Sequence, residues 1–135
     1  MDNAILKIMR ERRSIRKYKK EQITEEQLQA ILEAGTYAPT GMGAQSPLIL
    51  AVQEPEVISL LSRLNAAVMG TDSDPFYGAP TVLVVLADRN RPTYVEDGSL
   101  VIGNMLNEMC IRDRFSWVPE YGEERPLRFL QSYTG

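Results

Sequence analysis

A chain of 135 residues with 44% hydrophobic content is long enough for one globular domain with a real core, although a core of this size can lean on a partner subunit. It contains no histidine and a single cysteine, Cys110, which excludes Ser-His and Cys-His catalysis, an internal disulfide and most zinc or iron sites. The net charge of -3 hides an asymmetry, because seven of the fifteen basic residues fall between Arg10 and Lys20. Any chemistry must come from carboxylates, arginines, backbone groups or a borrowed organic cofactor.

No apolar run approaches the length of a membrane span, and the N-terminus lacks the shape of a secretory signal, so a cytoplasmic protein without membrane attachment is expected. In chain order, Ile5, Ile8, Met9 and Arg12 recur at three- and four-residue steps and predict an amphipathic helix whose apolar side is core. It leads into Arg12-Arg13-Ser14-Ile15-Arg16-Lys17-Tyr18. Arginine forks pair with phosphate oxygens two at a time and a serine hydroxyl adds a neutral donor, so Arg-Arg-Ser-x-Arg suits one phosphate group. A solvated charged face at a helix end is the other reading of the same residues.

Thr24-Glu25-Glu26-Gln27 has the form of a capping box, flanked by Ile23 and Leu28 as a hydrophobic staple. A second helix is expected from there, with Leu28, Ile31 and Leu32 on one face and Gly35 as the left-handed residue that closes it. Ala38 to Pro47 follows as a loop, with two prolines and two glycines in ten residues. Glycine permits close approach to a flat ligand and Thr40, Gln45 and free amides can address polar edges; an ordinary turn between helix and strand has the same composition.

Leu48 to Val52 reads as a buried strand and Pro55 as the first residue of a third helix, whose stripe of Val57, Leu60, Leu61, Leu64 and Val68 is expected to be packing. The polar loop Asp72-Ser73-Asp74-Pro75 ends in Phe76-Tyr77, an aromatic pair that can cover a ring or anchor the loop. Thr81 to Ala87, apolar and rich in β-branched residues, predicts a central strand covered on both faces, hence helices on both sides of the sheet. Asp88 to Pro92 turns the chain outward. Leu100, Val101, Ile102, Met105, Leu106 and Met109 then describe a helix apolar around much of its circumference, buried in the domain or at a subunit interface.

Taken in order, Arg-Arg-Ser-Ile-Arg, Ala-Pro-Thr-Gly-Met-Gly-Ala-Gln-Ser-Pro, Asp-Pro-Phe-Tyr-Gly-Ala-Pro before a hydrophobic strand, and Glu96-Asp97-Gly98-Ser99 opening an apolar helix with Asn104 resemble the FMN-dependent nitroreductase family. The resemblance covers roughly Met1 to Met109. It implies an α+β nitroreductase-like fold with a central mixed β-sheet flanked by helices, in a homodimer with FMN at the subunit interface. By that resemblance Arg12, Ser14 and Arg16 match phosphate and ribityl ligands, with Arg13 giving main-chain and flanking contacts. Pro39, Thr40 and Gly41 match the loop beside the isoalloxazine ring, and Gln45 and Asn65 fall near positions that address its polar edge. No side chain is expected to be catalytic and no metal is expected. The implied reaction is ping-pong, with NADH or NADPH giving a hydride to flavin N5 and a nitroaromatic, quinone or similar acceptor taking the electrons.

The pattern departs at Cys110. Residues 1–109 are expected to form the FMN-binding domain, and residues 110–135, rich in charges and bulky aromatics, a divergent tail that packs loosely or is disordered. Truncation, a frame shift and genuine divergence would each produce such a tail, and FMN affinity is expected to fall below that of a complete relative. Cys110 reads as a bystander, with no histidine to activate it. A non-catalytic flavin- or nucleotide-binding module is the alternative function. A nucleic-acid binder is disfavoured by a pI near 5.0 and by the scarcity of stacking aromatics beside the basic run.

Overall fold

The computed structural model describes residues 3–12, 14 and 16–112. Its first helix, α1 (Ala4–Glu11), starts at Asn3, whose side-chain oxygen accepts from Ile5 N at 2.9 Å. It ends where Arg12 turns to extended geometry, with Arg12 N donating to Ile8 O. The second helix, α2 (Glu25–Thr36), begins at the expected capping box: Thr24 N donates to Gln27 Oε1 at 3.0 Å and Gln27 N to Thr24 Oγ1 at 3.2 Å. Two otherwise orphaned donors are thereby satisfied.

Strand β1 (Leu48–Val52) is followed by α3 (Pro55–Met69), which opens with proline at a position where the missing N–H costs nothing and closes on Gly70 at φ 64°. Strand β2 (Val82–Leu86) pairs antiparallel with β1, Leu48 opposite Leu86 and Val52 opposite Val82. After the Asp88 turn, in which Asp88 Oδ1 accepts from Asn90 N, comes α4 (Tyr94–Arg112). Ile31, Ala38, Val85, Val101 and Met105 form the core, with Ile23, Ile49, Leu83, Ile102 and Met109 packed on it. Helices α2 and α4 are its principal walls. Asn104 Nδ2 donates to Ala34 O at 3.1 Å across their contact, so the polar residue in this apolar interface is satisfied.

The α+β class holds, but several local expectations do not. In place of a mixed sheet covered on both faces, the described residues form a two-stranded antiparallel sheet. One face meets α4 through Val85, while Leu48, Leu50 and Leu86 on the other are exposed. A larger sheet needs more strand-forming runs than residues 3–112 contain. The apolar side of α1 is not core, since Ile5, Leu6 and Met9 are all exposed, and neither is the α3 stripe, where Val57, Leu60, Leu64 and Val68 are exposed. Helical periodicity gives the direction of an apolar face but not what lies opposite it. Gly35 does not close α2 in a left-handed conformation; it is buried inside the helix, where lack of a side chain lets Ile49 and Met105 approach.

Candidate functional site

The segment between α2 and β1 is held by its own hydrogen bonds and by a contact far along the chain. Ala38 is buried and its N–H reaches Gly35 O. Residues Gly41–Gly43 make a single 3-10 turn, with Gly43 N donating to Thr40 O at 3.0 Å, while the Thr40 hydroxyl accepts from Gln45 N at 2.9 Å. Two residues with side chains take left-handed backbone here, Met42 at φ 53° and Gln45 at φ 48°. Such strain persists only where surrounding structure over-determines it, and it clusters at ligand sites.

The loop is also bonded to Asp97. This aspartate, in the first turn of α4, is 2% exposed, and its Oδ1 accepts from Gly41 N at 2.8 Å. Its Oδ2 accepts from the Thr93 hydroxyl at 3.0 Å, and its own N–H goes to Thr93 O at 2.8 Å. The Gly41 backbone also packs against the Thr93 side chain, because a Cβ at Gly41 would collide with Thr93 Oγ1. The start of α4 lies near the end of β2, where a Cβ on Gly98 would make ordinary contact with Ala87 Cβ at 3.6 Å.

Within the same loop, the Ser46 hydroxyl is buried with no hydrogen-bond partner among the described residues. A buried hydroxyl left unmade costs about 1–3 kcal/mol, which makes Ser46 the exception in an otherwise hydrogen-bonded loop. Sequence reasoning assigns no site role to Asp97, Thr93 or Ser46. An aspartate four residues after a threonine at a helix start is the available signal, and it reads equally well as ordinary first-turn acid.

Of the sequence-derived site residues, the structure brings Thr40, Gly41 and Gln45 together in this loop, with Pro39 exposed beside them. Arg12, half-buried, ends α1; Ser14 is 6% exposed and Arg16 is exposed in the extended stretch that follows. Arg13 lies outside the described residues. The far end of this basic stretch is tied to the sheet: Gln22 Nε2 donates to Pro80 O at 2.8 Å, and its Oε1 accepts from Thr81 Oγ1. Asn65 is separate, half-buried on α3, and its side chain makes no hydrogen bond among the described residues.

The aromatic pair divides its work. Phe76 is buried, whereas Tyr77 is more exposed and strained at φ 56°. The turn is built on Asp74, whose oxygens accept from Ser62 Oγ at 2.6 Å, Phe76 N at 2.9 Å and Gly78 N at 2.7 Å. Burial pushes its carboxyl pKa up, but the three donors outweigh that and hold it below the ordinary 3.8. Among the described residues, no helix is long and apolar enough to cross a membrane.

The model of the nitroreductase family matches residues 9–109, a span that takes in the basic stretch, the Thr40–Ser46 loop and Asp97. The chain belongs to the nitroreductase family. Among solved structures, it is similar to a nitroreductase with bound FMN from Bacteroides fragilis NCTC 9343, with a TM-score of 0.75 and 29% identity over 82% of this chain and 66% of that one. An FMN-dependent nitroreductase from Clostridium difficile R20291 gives a TM-score of 0.74 and 29% identity, covering 83% of this chain and 58% of that one. A curated relative, FMN reductase (NAD(P)H) from Bacillus subtilis strain 168, is 34% identical over 89 residues, which is 66% of this chain and 34% of the reductase. This nitroreductase-family chain therefore spans between 34% and 66% of the length of these three proteins.

Proposed function

We propose that residues 1–109 are the FMN-binding part of an NAD(P)H-dependent oxidoreductase that reduces nitroaromatic, quinone or similar small acceptors in a ping-pong reaction. The observation that carries this reading is the Thr40–Ser46 loop: strained non-glycine backbone, anchored by a buried aspartate, with a buried hydroxyl awaiting a partner. That combination fits a flat polar-edged ring better than a plain connection does. The basic stretch offers the chemistry for the rest of FMN. Arg12 and Arg16 would take phosphate oxygens, Ser14 would donate a neutral hydrogen bond and Arg13 would add flanking contacts.

When bound, FMN supplies the hydride-accepting ring, which no side chain in this histidine-free sequence replaces. The chain's own residues bind and orient it. Pro39, Thr40 and Gly41 would lie beside the ring, and Gln45 and Asn65 would serve its polar edge, with Ser46 as a further donor. Donors aimed at the edge where negative charge grows on reduction favour the reduced state. A homodimer with FMN at its interface would give the exposed apolar side chains of α1, α3 and the outer sheet face a surface to pack against. A cytoplasmic location completes the proposal; of the tail expected at residues 110–135, Cys110 to Arg112 continue α4 and 113–135 lie outside the described residues.

The second reading is a flavin- or nucleotide-binding module that uses the same basic stretch without turnover. Steady-state oxidation of NADH and NADPH by the purified chain with FMN and a quinone separates the two. Turnover that requires both FMN and acceptor is expected; flavin binding with no turnover would leave a binding module.

A further inference from the structure

We infer that Asp97 is the positioning residue of the flavin loop, acting on the ring through Gly41 without touching it; this rests on the FMN reading above. A first-turn aspartate usually serves its own helix, by capping free N–H groups or by complementing the dipole. Asp97 does something else. Its Oδ1 reaches an amide 56 residues away, and its Oδ2 is occupied by Thr93, so both oxygens of a carboxyl that is 2% exposed have specific donors. A buried carboxyl is tolerated only when bonded in this way, which makes the loop's position and the carboxyl's satisfaction one event.

The geometry runs in one direction. Gly41 can sit against Thr93 only because it has no Cβ, and its N–H then points at Asp97. Beside Gly41 the 3-10 turn closes on Thr40, the Thr40 hydroxyl accepts from Gln45 N, and Met42 and Gln45 take positive φ. Without the latch that strain is free to relax, and the ring-side surface loses its shape. The phosphate end, on the Arg12–Arg16 stretch, is built from a different segment. Loss of Asp97 therefore weakens ring binding while leaving phosphate recognition intact.

Two ligands separate these effects: FMN, and riboflavin, which carries the ring and ribityl chain without phosphate. Equilibrium titration of Asp97→Ala is expected to show affinity for both falling by the same factor, about tenfold for a lost charge-assisted hydrogen bond. Asp97→Asn, which keeps an oxygen for Gly41 N–H, should recover most of it. Replacing Arg12 and Arg16 by alanine should lower FMN affinity by a larger factor than riboflavin affinity. Asp97→Ala binding both ligands like the wild type, or losing FMN selectively, overturns the inference. If Asp97→Ala does not fold, Thr93→Val serves in its place, with about a threefold equal loss expected and unchanged binding overturning the inference. A wild-type chain that binds neither flavin instead removes the FMN reading itself, and the role of Asp97 with it.

Discussion

Gly35 packs against Met105 so closely that a Cβ on the glycine would stand 3.0 Å from the methionine Cγ and 2.6 Å from Ile49 Cδ1. This tight joint between α2 and α4 sets the distance between the helix that leads into the Thr40–Ser46 loop and the helix that carries Asp97. Gly35→Ala would gain about 1 kcal/mol of helix propensity but would force apart a packed core at about 1–3 kcal/mol. The clash wins, and a net loss of about 1 kcal/mol is expected in denaturant unfolding. Gly35→Leu should prevent folding; a leucine variant with an unchanged midpoint would show that the helices are free to separate.

Met105 is fully buried among Ile31, Ala38, Val85 and Val101. Met105→Ala should cost about 2–5 kcal/mol through lost burial and the cavity left behind. By contrast Leu64→Ala and Val68→Ala, at exposed positions on α3, should each change the chain's own stability by less than about 0.5 kcal/mol. Equal losses at Met105 and Leu64 would mean that α3 is packed in solution, as a dimer interface would require.

Thr24 accepts from Gln27 N, and Thr24→Ala removes that half of the capping box. A loss of about 1 kcal/mol in stability is expected, with flavin affinity unchanged because Thr24 belongs to no part of the proposed site. Calorimetric melting beside an FMN titration checks both halves of the statement.

Asp74 has its folded pKa lowered below 3.8 by donors from Ser62, Phe76 and Gly78, against the upward push of burial. A group depressed on folding stabilises above its unfolded pKa, and that contribution disappears as pH falls through the lower, folded value. Asp74→Asn should therefore be less stable than the wild type at about pH 7, with the difference closing as pH is taken below the ordinary carboxylate range. Denaturant midpoints across that range give the result; a gap that widens in acid would reverse the sign.

Local structure is legible in the sequence where one residue type has one dominant physical use. The Thr24–Gln27 box, Pro55 opening α3, the two strand-forming runs and the Asp88 turn all stand where the residues place them. Gly35 is ambiguous because glycine serves both left-handed turns and close approach, and only the packing of Ile49 and Met105 decides between them. The faces of α1 and α3 mislead because amphipathicity does not name a partner. Asp97 is legible as first-turn acid but not as a latch, since its acceptor role depends on Gly41, 56 residues away. The motif order from Arg12 to Asn104 reveals the family although no single motif would do so.

The claim on which the rest turns is that Arg12 and Arg16 hold the phosphate of a bound FMN. Titrating FMN into the wild-type chain and into the Arg12→Ala/Arg16→Ala variant, by quenching of flavin fluorescence, tests it directly. The account predicts binding by the wild type and at least about a tenfold loss in the variant, the scale of a lost charge-assisted phosphate contact. Equal FMN affinity in the two proteins would contradict it.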